Sequence, residues 1–269
     1  MRYWIAIFIL GGALGGAAIA QDAVLRSLQT GVDASPWEAV GRLNIGGNSF
    51  CTGALIAPDI VLTAAHCLYD SDTGDLINHD RVEFLAGWRN GRASAYRKVR
   101  RTAIHPGYIF DEHVSSERVR NDLALLKLDH EIRNTTVIPF GTSTRPDQGA
   151  RVGVVSYARD RSNAPSLQEV CQVLGMQDGV LITSCTVDYG SSGAPIFSFS
   201  EGSAKIVSVV SAMAEIDGQK VSLGTDLDLP LKHLRAELDR ADESVPQVSG
   251  AVSKFGAGSS GAKFVRPEQ

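Results

Sequence analysis

Residues 60–67 read Ile60-Val61-Leu62-Thr63-Ala64-Ala65-His66-Cys67, a hydrophobic run that ends in a histidine beside a cysteine. The first four side chains are apolar or β-branched, which predicts a short buried strand. Small residues then lead into the histidine. If Cys67 is bridged to Cys51, the backbone at His66 is held in place. The remaining histidines, at positions 79, 105, 113, 130 and 233, lie in polar segments and are interpreted as surface residues.

Similar short hydrophobic runs lie on both sides of this segment, with turn signals between them. Those before the polar stretch 141–150 are Ala39–Ile45, Ala54–Ile56, Ile60–Leu62, Val82–Ala86 and Leu123–Leu128. Those after it are Val152–Tyr157, Glu169–Leu174, Val180–Thr183, Ile196–Phe199 and Ile206–Ala212. Many short strands at this spacing predict an all-β sandwich or barrel protein. We therefore expect two β units, 36–140 and 141–241, and one late helix where apolar residues recur at helical spacing over Leu229–Leu238.

The two ends of the chain differ in composition from the β units. Residues 1–20 have a basic start, an apolar core and small residues up to Ala20, which predicts a secretory signal peptide cleaved after Ala20. An uncleaved membrane anchor is the alternative, but the apolar part is short and rich in glycine and alanine. Residues 21–35 are polar and are interpreted as a leader or pro-segment. The Ser-, Gly- and Ala-rich residues 242–269 predict a disordered tail.

Export and charge limit the partners that we expect. The signal peptide predicts a secreted or periplasmic protein, with no stable membrane association after cleavage. The formal net charge of −4 gives no indication of a nucleic-acid partner or of binding to an anionic membrane.

Four cysteines become informative once export is expected: Cys51, Cys67, Cys171 and Cys185. An even number in an oxidising compartment predicts two disulfides. Three pairings are possible, and the near-neighbour set would close two short loops. A zinc site is the alternative, but no Cys-x-x-Cys motif or close Cys/His cluster supports it beyond the adjacent His66 and Cys67. We expect neither a metal nor a cofactor.

A serine candidate lies between glycines in Tyr189-Gly190-Ser191-Ser192-Gly193-Ala194-Pro195. A serine nucleophile needs a neighbouring base to accept its proton, and histidine titrates near neutrality. Backbone N–H groups must also face the oxyanion that develops on the substrate. Glycine at 190 would let its N–H turn inward beside that of Ser192. Taken alone, this segment is better described as a plain glycine-serine loop.

An acid candidate, Asp122, precedes the hydrophobic run Leu123–Leu128. A carboxylate directly before such a hydrophobic run is expected to be partly buried. Burial of a charge is costly unless it is hydrogen-bonded, so a partner is expected. The alternative is a turn residue at the end of a strand.

Together, these three motifs resemble those of the trypsin/chymotrypsin family, and they occur in the same order. Shorter matches agree with this resemblance, which covers roughly residues 35–240. They are Pro36-Trp37, the strand Ser49–Ile56 with its cysteine, and His105-Pro106-Gly107-Tyr108.

The resemblance implies a fold and a set of roles. The fold would be all-β, with two antiparallel six-stranded barrels, the site between them and a C-terminal helix. Ser192 would be the nucleophile, His66 the general base and acid, and Asp122 its orienting partner. The N–H groups of Gly190 and Ser192 would form the oxyanion hole, and Ser211 would support the aspartate and align the substrate backbone. The implied disulfides are Cys51–Cys67 and Cys171–Cys185.

Two departures distinguish the chain from the animal digestive members of that family. Ser191 stands where those enzymes carry an aspartate that pairs with a freshly cut N-terminus, and the Ile-Val-Gly-Gly start is missing. The resemblance is therefore to the secreted bacterial branch.

In the expected specificity pocket, Thr186 and Val187 would be wall or floor residues, and Met213 belongs to a segment that replaces an aromatic-glycine pair. No acid is clearly placed at a floor position that would select Lys or Arg, although Asp188 is nearby. Glutamate-selective relatives would suggest a histidine beside Ser211, and none is found there. We therefore expect substrates with uncharged side chains to be preferred.

The function that these residues predict is that of a secreted serine endopeptidase that acts as a monomer on protein or peptide substrates. A protease-fold binding protein that has lost activity is the first alternative. A different serine hydrolase, such as an esterase, is the second. Ala194 breaks the Gly-x-Ser-x-Gly motif of that class, and the His–Asp–Ser order differs from it.

Overall fold

The computed structural model of the chain describes residues 24–47, 49–111, 113–200 and 202–243, which form mainly β-strands. The strands are β1 (Arg26–Ser27), β2 (Val40–Ile45), β3 (Ser49–Ala57), β4 (Ile60–Thr63), β5 (Val82–Ala86), β6 (Ala95–Ile104), β7 (Ala124–Leu128), β8 (Arg151–Ser156), β9 (Ser166–Gln177), β10 (Val180–Thr183), β11 (Pro195–Ser198), β12 (Lys205–Ile216) and β13 (Gln219–Thr225). The α-helices are α1 (Gly31–Ala34), α2 (Ser116–Asn121) and α3 (Asp228–Glu243). None of these helices is long and apolar enough to span a lipid bilayer. The predicted signal peptide lies outside the described residues, as does the predicted tail 242–269 except for Asp242 and Glu243, which belong to α3.

Strands β2 to β7 close into an antiparallel barrel in the order β2-β3-β4-β7-β6-β5, with β5 pairing back onto β2. Strand β4 is the hydrophobic run with which the motif around His66 begins. All four of its residues are buried, because it pairs with β3 on one side and with β7 on the other. Leu62 lies opposite Leu125, and both are fully buried. A continuous hydrophobic run is the pattern expected of a strand buried in this way.

The second barrel has the order β8-β9-β10-β13-β12-β11, and it closes because β8 pairs with both β9 and β11. The short strand β1 is added to β9 from outside this ring. Two closed six-stranded antiparallel barrels followed by α3 confirm the predicted all-β fold and its C-terminal helix.

Helix α3 packs against strands β6 and β7 of the first barrel. Its buried leucines, Leu231, Leu234 and Leu238, recur every three or four residues and pack into the core of that barrel, whereas Leu229 is 65% exposed. Each buried leucine stabilises the fold by about 1.5–3 kcal/mol. The helix continues to Glu243, beyond the Leu238 to which the hydrophobic pattern extends.

Part of the predicted leader or pro-segment 21–35 belongs to the second barrel. Arg26 and Ser27 pair with Leu167 and Ser166 of β9. Leu28 is fully buried, and its N–H donates to the carbonyl of Pro165 at 2.9 Å. The described part of the segment therefore contributes to the core, and its role as a leader or pro-segment stays a prediction.

Candidate active site

The three residues singled out in the sequence meet at the junction of the two barrels. His66 lies in the short 3-10 turn Ala65–Leu68 that follows β4, and Asp122 follows helix α2. Ser192 comes from the other barrel, in the loop between β10 and β11. His66 and Ser192 line the same cleft, whose volume is about 790 Å³.

Two disulfides hold the segments next to these residues. Cys51 of β3 is bonded to Cys67, directly after His66, and Cys171 of β9 is bonded to Cys185. The closed loops span 16 and 14 residues. In the chain-entropy model, cross-links of this length stabilise by about 3 kcal/mol each. The first disulfide therefore fixes the backbone that carries His66.

Asp122 binds the histidine through both of its carboxylate oxygens. Oδ1 accepts the backbone N–H of His66 at 2.8 Å, and Oδ2 lies 2.6 Å from His66 Nδ1. Oδ2 also accepts the hydroxyl of Ser211 at 2.5 Å. Asp122 is fully buried, so these partners provide the hydrogen bonds that a buried carboxylate requires.

The environment of Asp122 favours its ionised form. Burial raises the pKa of the carboxyl group. The charge of His66 and the hydrogen bonds from His66 and Ser211 act in the opposite direction and outweigh burial, so the pKa lies below its ordinary value. An ionised Asp122 can accept a hydrogen bond from His66 Nδ1–H, which keeps the proton on Nδ1 and leaves Nε2 free to act as a base towards the cleft.

Ser192 lines the cleft and is held in place by backbone hydrogen bonds. Its carbonyl accepts the N–H of Thr52 at 2.9 Å, and the N–H of the next residue, Gly193, donates to Val210 O at 2.8 Å. Within the described residues, Ser192 Oγ and His66 Nε2 are not hydrogen-bonded. Such contacts in catalytic sites often tighten only when substrate binds.

The carbonyls of the two residues Tyr189 and Gly190 in the loop before Ser192 are both hydrogen-bonded. Tyr189 O accepts the N–H of Arg159 at 2.8 Å, and Gly190 O accepts the hydroxyl of Thr52 at 2.9 Å. A trans peptide places C=O and N–H on opposite sides, so the N–H of Gly190 points away from Arg159. Gly190 has φ 97°, and a Cβ at this position would overlap the ring of Phe50. Only glycine fits here.

Ser191 attaches the same loop to the end of β8 without a charge. It is fully buried, and its Oγ lies 3.2 Å from both Ser156 Oγ and Tyr157 O. The Ser191 Oγ also accepts the N–H of Asp188 at 3.3 Å. Ser191 therefore makes neutral hydrogen bonds, whereas the animal digestive enzymes carry at this position the aspartate of an ion pair.

The predicted specificity residues lie in different environments. Ser211 and Met213 line the cleft, and Met213 is 41% exposed. Thr186 is exposed, donates its N–H to Gln168 Oε1 at 2.6 Å and is not among the residues that line the cleft. Its neighbour Val187 does line the cleft.

Sequence reasoning did not identify Thr52 and Arg159, which bind the carbonyls of the loop. Arg159 contributes through its backbone, so its side chain carries no signal for this contact. The sequence gives a weak signal for Thr52, because a hydroxyl inside a buried strand is expected to have a hydrogen-bond partner.

Cys51, His66 and Cys67 have potential ligand atoms within 4.8 Å of one another, and they form the one such group among the described residues. Their two sulfurs are bonded to each other, so they offer no thiolate to a metal ion. The chemistry of this group is therefore that of a disulfide beside a histidine.

The chain is similar in sequence to known proteases. The glutamyl endopeptidase of Bacillus licheniformis is 26% identical over 173 residues, which cover 64% of this chain and 52% of that protein. Trypsin epsilon of Drosophila erecta is 29% identical over 148 residues, which cover 54% of this chain and 53% of that protein. The chain thus spans about half the length of these curated relatives.

Solved structures share the fold. A Glu endopeptidase in complex with MPD superposes with a TM-score of 0.65 at 18% identity, covering 84% of this chain and all of that one (100%). A thermostable serine protease, AL20, superposes with a TM-score of 0.61 at 15% identity, covering 76% of this chain and 99% of that one. The family model described as Trypsin matches residues 29–220, which is well over half of the chain. The protein belongs to the trypsin family.

Proposed function

We propose that the protein is a secreted serine endopeptidase in which His66, Asp122 and Ser192 form the catalytic triad. The observation that carries this proposal is the 2.6 Å contact between His66 Nδ1 and Asp122 Oδ2, beside the cleft that Ser192 also lines. Membership of the trypsin family supports hydrolysis of peptide bonds, as do the names of the relatives. Protein or peptide substrates follow from that chemistry, and no cofactor is required for it.

In the first half of the reaction, Ser192 Oγ attacks the carbonyl carbon of the scissile bond while His66 Nε2 accepts the hydroxyl proton. Negative charge develops on the carbonyl oxygen, where the N–H groups of Gly190 and Ser192 stabilise it. His66 then donates its proton to the leaving amine, and the acyl group stays on Ser192. Asp122 keeps the proton on Nδ1 and stabilises the imidazolium that forms.

In the second half, water takes the place of the amine. His66 accepts a proton from the water as it attacks the acyl carbon, and the same two N–H groups stabilise the second oxyanion. His66 then returns the proton to Ser192 Oγ, which releases the acid product and restores the enzyme.

We expect uncharged side chains on the amino side of the cleaved bond. Val187, Val210 and Met213 line the same cleft as Ser192, and none of the three carries a charge. Asp188 also lines the cleft, but its Oδ1 accepts the N–H of Tyr189 at 2.7 Å. Cleavage of a peptide library should therefore favour peptides with an apolar residue directly before the cleaved bond. Met213→Gly should extend the preference to larger apolar residues.

A cleavage profile dominated by Glu, Arg or Lys would contradict this expectation. Glu is the most informative of the three, because the Bacillus relative is named a glutamyl endopeptidase.

Labelling with a fluorophosphonate probe tests the proposed activity, because the probe reacts with an activated serine. The protein is recovered from the periplasm or the medium, and a mature chain that begins at Gln21 is the expected N-terminal sequence. Wild type should be labelled, whereas Ser192→Ala and His66→Ala should not. Ser203→Ala, which changes an exposed serine outside the cleft, is the matched control and should be labelled like wild type. Failure of the folded wild type to react, or labelling that persists in Ser192→Ala, would contradict the proposed function.

A further inference from the structure

We propose that Thr52, a residue of the first barrel, is a positioning residue for the oxyanion hole of the second. The inference rests on the proposed function, since it names the group that holds the proposed hole in its working geometry. Thr52 is fully buried and does not line the cleft, so it would act through the residues that it binds.

Thr52 makes two contacts with the segment that carries the proposed nucleophile. Its N–H donates to Ser192 O at 2.9 Å, and its hydroxyl donates to Gly190 O, also at 2.9 Å. The two residues whose N–H groups would stabilise the oxyanion are thus held through their carbonyls by one residue. Gly190 lies 138 positions away from Thr52 in the sequence.

The hydroxyl of Thr52 both donates and accepts a hydrogen bond. Tyr157 N–H donates to Thr52 Oγ1 at 3.0 Å, so the oxygen is an acceptor there. A hydroxyl has a single proton, which is then directed to Gly190 O. One side chain therefore connects β3, the end of β8 and the oxyanion loop, and only a hydroxyl can fill both roles.

Gly190 needs this restraint because glycine has little conformational preference of its own. The peptide before it is held where Arg159 N–H donates to Tyr189 O, and the peptide after it is held by the Thr52 hydroxyl. Fixing both peptides fixes φ and ψ of Gly190, and with them the direction of its N–H. A hydrogen-bond donor contributes most to catalysis when it is already oriented before charge develops.

Thr52→Val tests this inference, because valine keeps the shape and the backbone N–H but removes the hydroxyl. We expect kcat to fall by about tenfold to a hundredfold with KM changed little, since the oxyanion forms only during the reaction. The rate of fluorophosphonate labelling should fall in parallel. Thr52→Ser restores a hydroxyl and should return kcat to within about threefold of wild type.

Ser208→Ala is the matched control. Its buried hydroxyl donates to Thr225 O at 2.8 Å in the second barrel and does not line the cleft. This variant should lose thermal stability and keep kcat, which separates a general loss of stability from a loss of positioning. If Thr52→Val does not fold, Thr52→Ala compared with Thr52→Ser gives the same contrast in kcat.

The possible results separate the two proposals. An active wild type whose kcat survives loss of the Thr52 hydroxyl overturns the positioning role and leaves the proposed activity intact. A fall in kcat that Thr52→Ser does not reverse also overturns it. An inactive wild type overturns both.

Discussion

Replacement of Asp122 by asparagine is expected to lower kcat by about 10⁴-fold while the protein remains folded. An amide can still accept the N–H of His66 through its oxygen, as Oδ1 does now at 2.8 Å. Its NH₂ group would then face His66 Nδ1 and the Ser211 hydroxyl, where Oδ2 is now the acceptor. Nδ1 would have to become an acceptor, so the proton would move to Nε2. An imidazole in that form cannot take the proton of Ser192.

The exposed pair Asp111 and His113 provides the matched control. Asp111 Oδ1 lies 3.1 Å from His113 Nδ1, and it accepts the N–H of the same residue at 2.8 Å. Asp111→Asn should leave kcat unchanged. Turnover of a peptide ester or amide by the two variants, with circular dichroism to establish folding, measures the difference. An Asp122→Asn protein with more than about a tenth of wild-type kcat would contradict the assigned role.

The same substitution should change how stability depends on pH. The folded pKa of Asp122 is depressed, so its ionisation stabilises the fold at pH values above the unfolded pKa of about 3.9. This stabilisation is lost as the pH falls through the lower, folded pKa. Urea unfolding of wild type and Asp122→Asn should therefore converge in acid, and a constant difference between them down to pH 2 would contradict the depressed pKa.

Replacement of Gly193 by alanine is expected to lower the free energy of unfolding by more than about 3 kcal/mol. Gly193 has φ 77°, a conformation that alanine adopts only with strain. A Cβ at this position would also overlap Thr63 Oγ1 and Thr52 O, and it would lie 3.0 Å from Ala64 N. Two of these atoms belong to the backbone of the first barrel, which cannot move without disturbing its strands.

Gly202→Ala isolates the backbone part of this effect. Gly202 has φ 75°, and a Cβ there would meet nothing within 4 Å. It should lower the free energy of unfolding by only about 1–2 kcal/mol. Thermal unfolding gives the comparison, since each 1 kcal/mol lowers Tm by about 2–4 °C in a chain of this size. Equal shifts for the two variants would contradict the close contact between Gly193 and the first barrel.

Much of the fold follows from local patterns. The hydrophobic run of β4 and the helical spacing over Leu229–Leu238 predict their elements correctly, because a strand or helix with one buried surface must repeat apolar residues at its own period. Two strands are less visible in the sequence. Strand β6, Ala95–Ile104, carries several arginines and a lysine, and its buried residues are Ala95, Val99 and Ala103. Strand β13, Gln219–Thr225, is short and begins with polar residues.

Some residues of the candidate site could be predicted from the sequence, and others could be found only in the structure. By itself, the sequence identified His66, Asp122 and Ser192 as candidates, because each lies in a motif of neighbouring residues that the chemistry requires. Only the tertiary structure decided that Leu28 belongs to the core, that Thr186 lies outside the cleft, and that Thr52 holds Gly190. Thr52 and Gly190 are 138 positions apart in the sequence. No local pattern specifies contacts of this kind, because they depend on how the two barrels pack once each has closed.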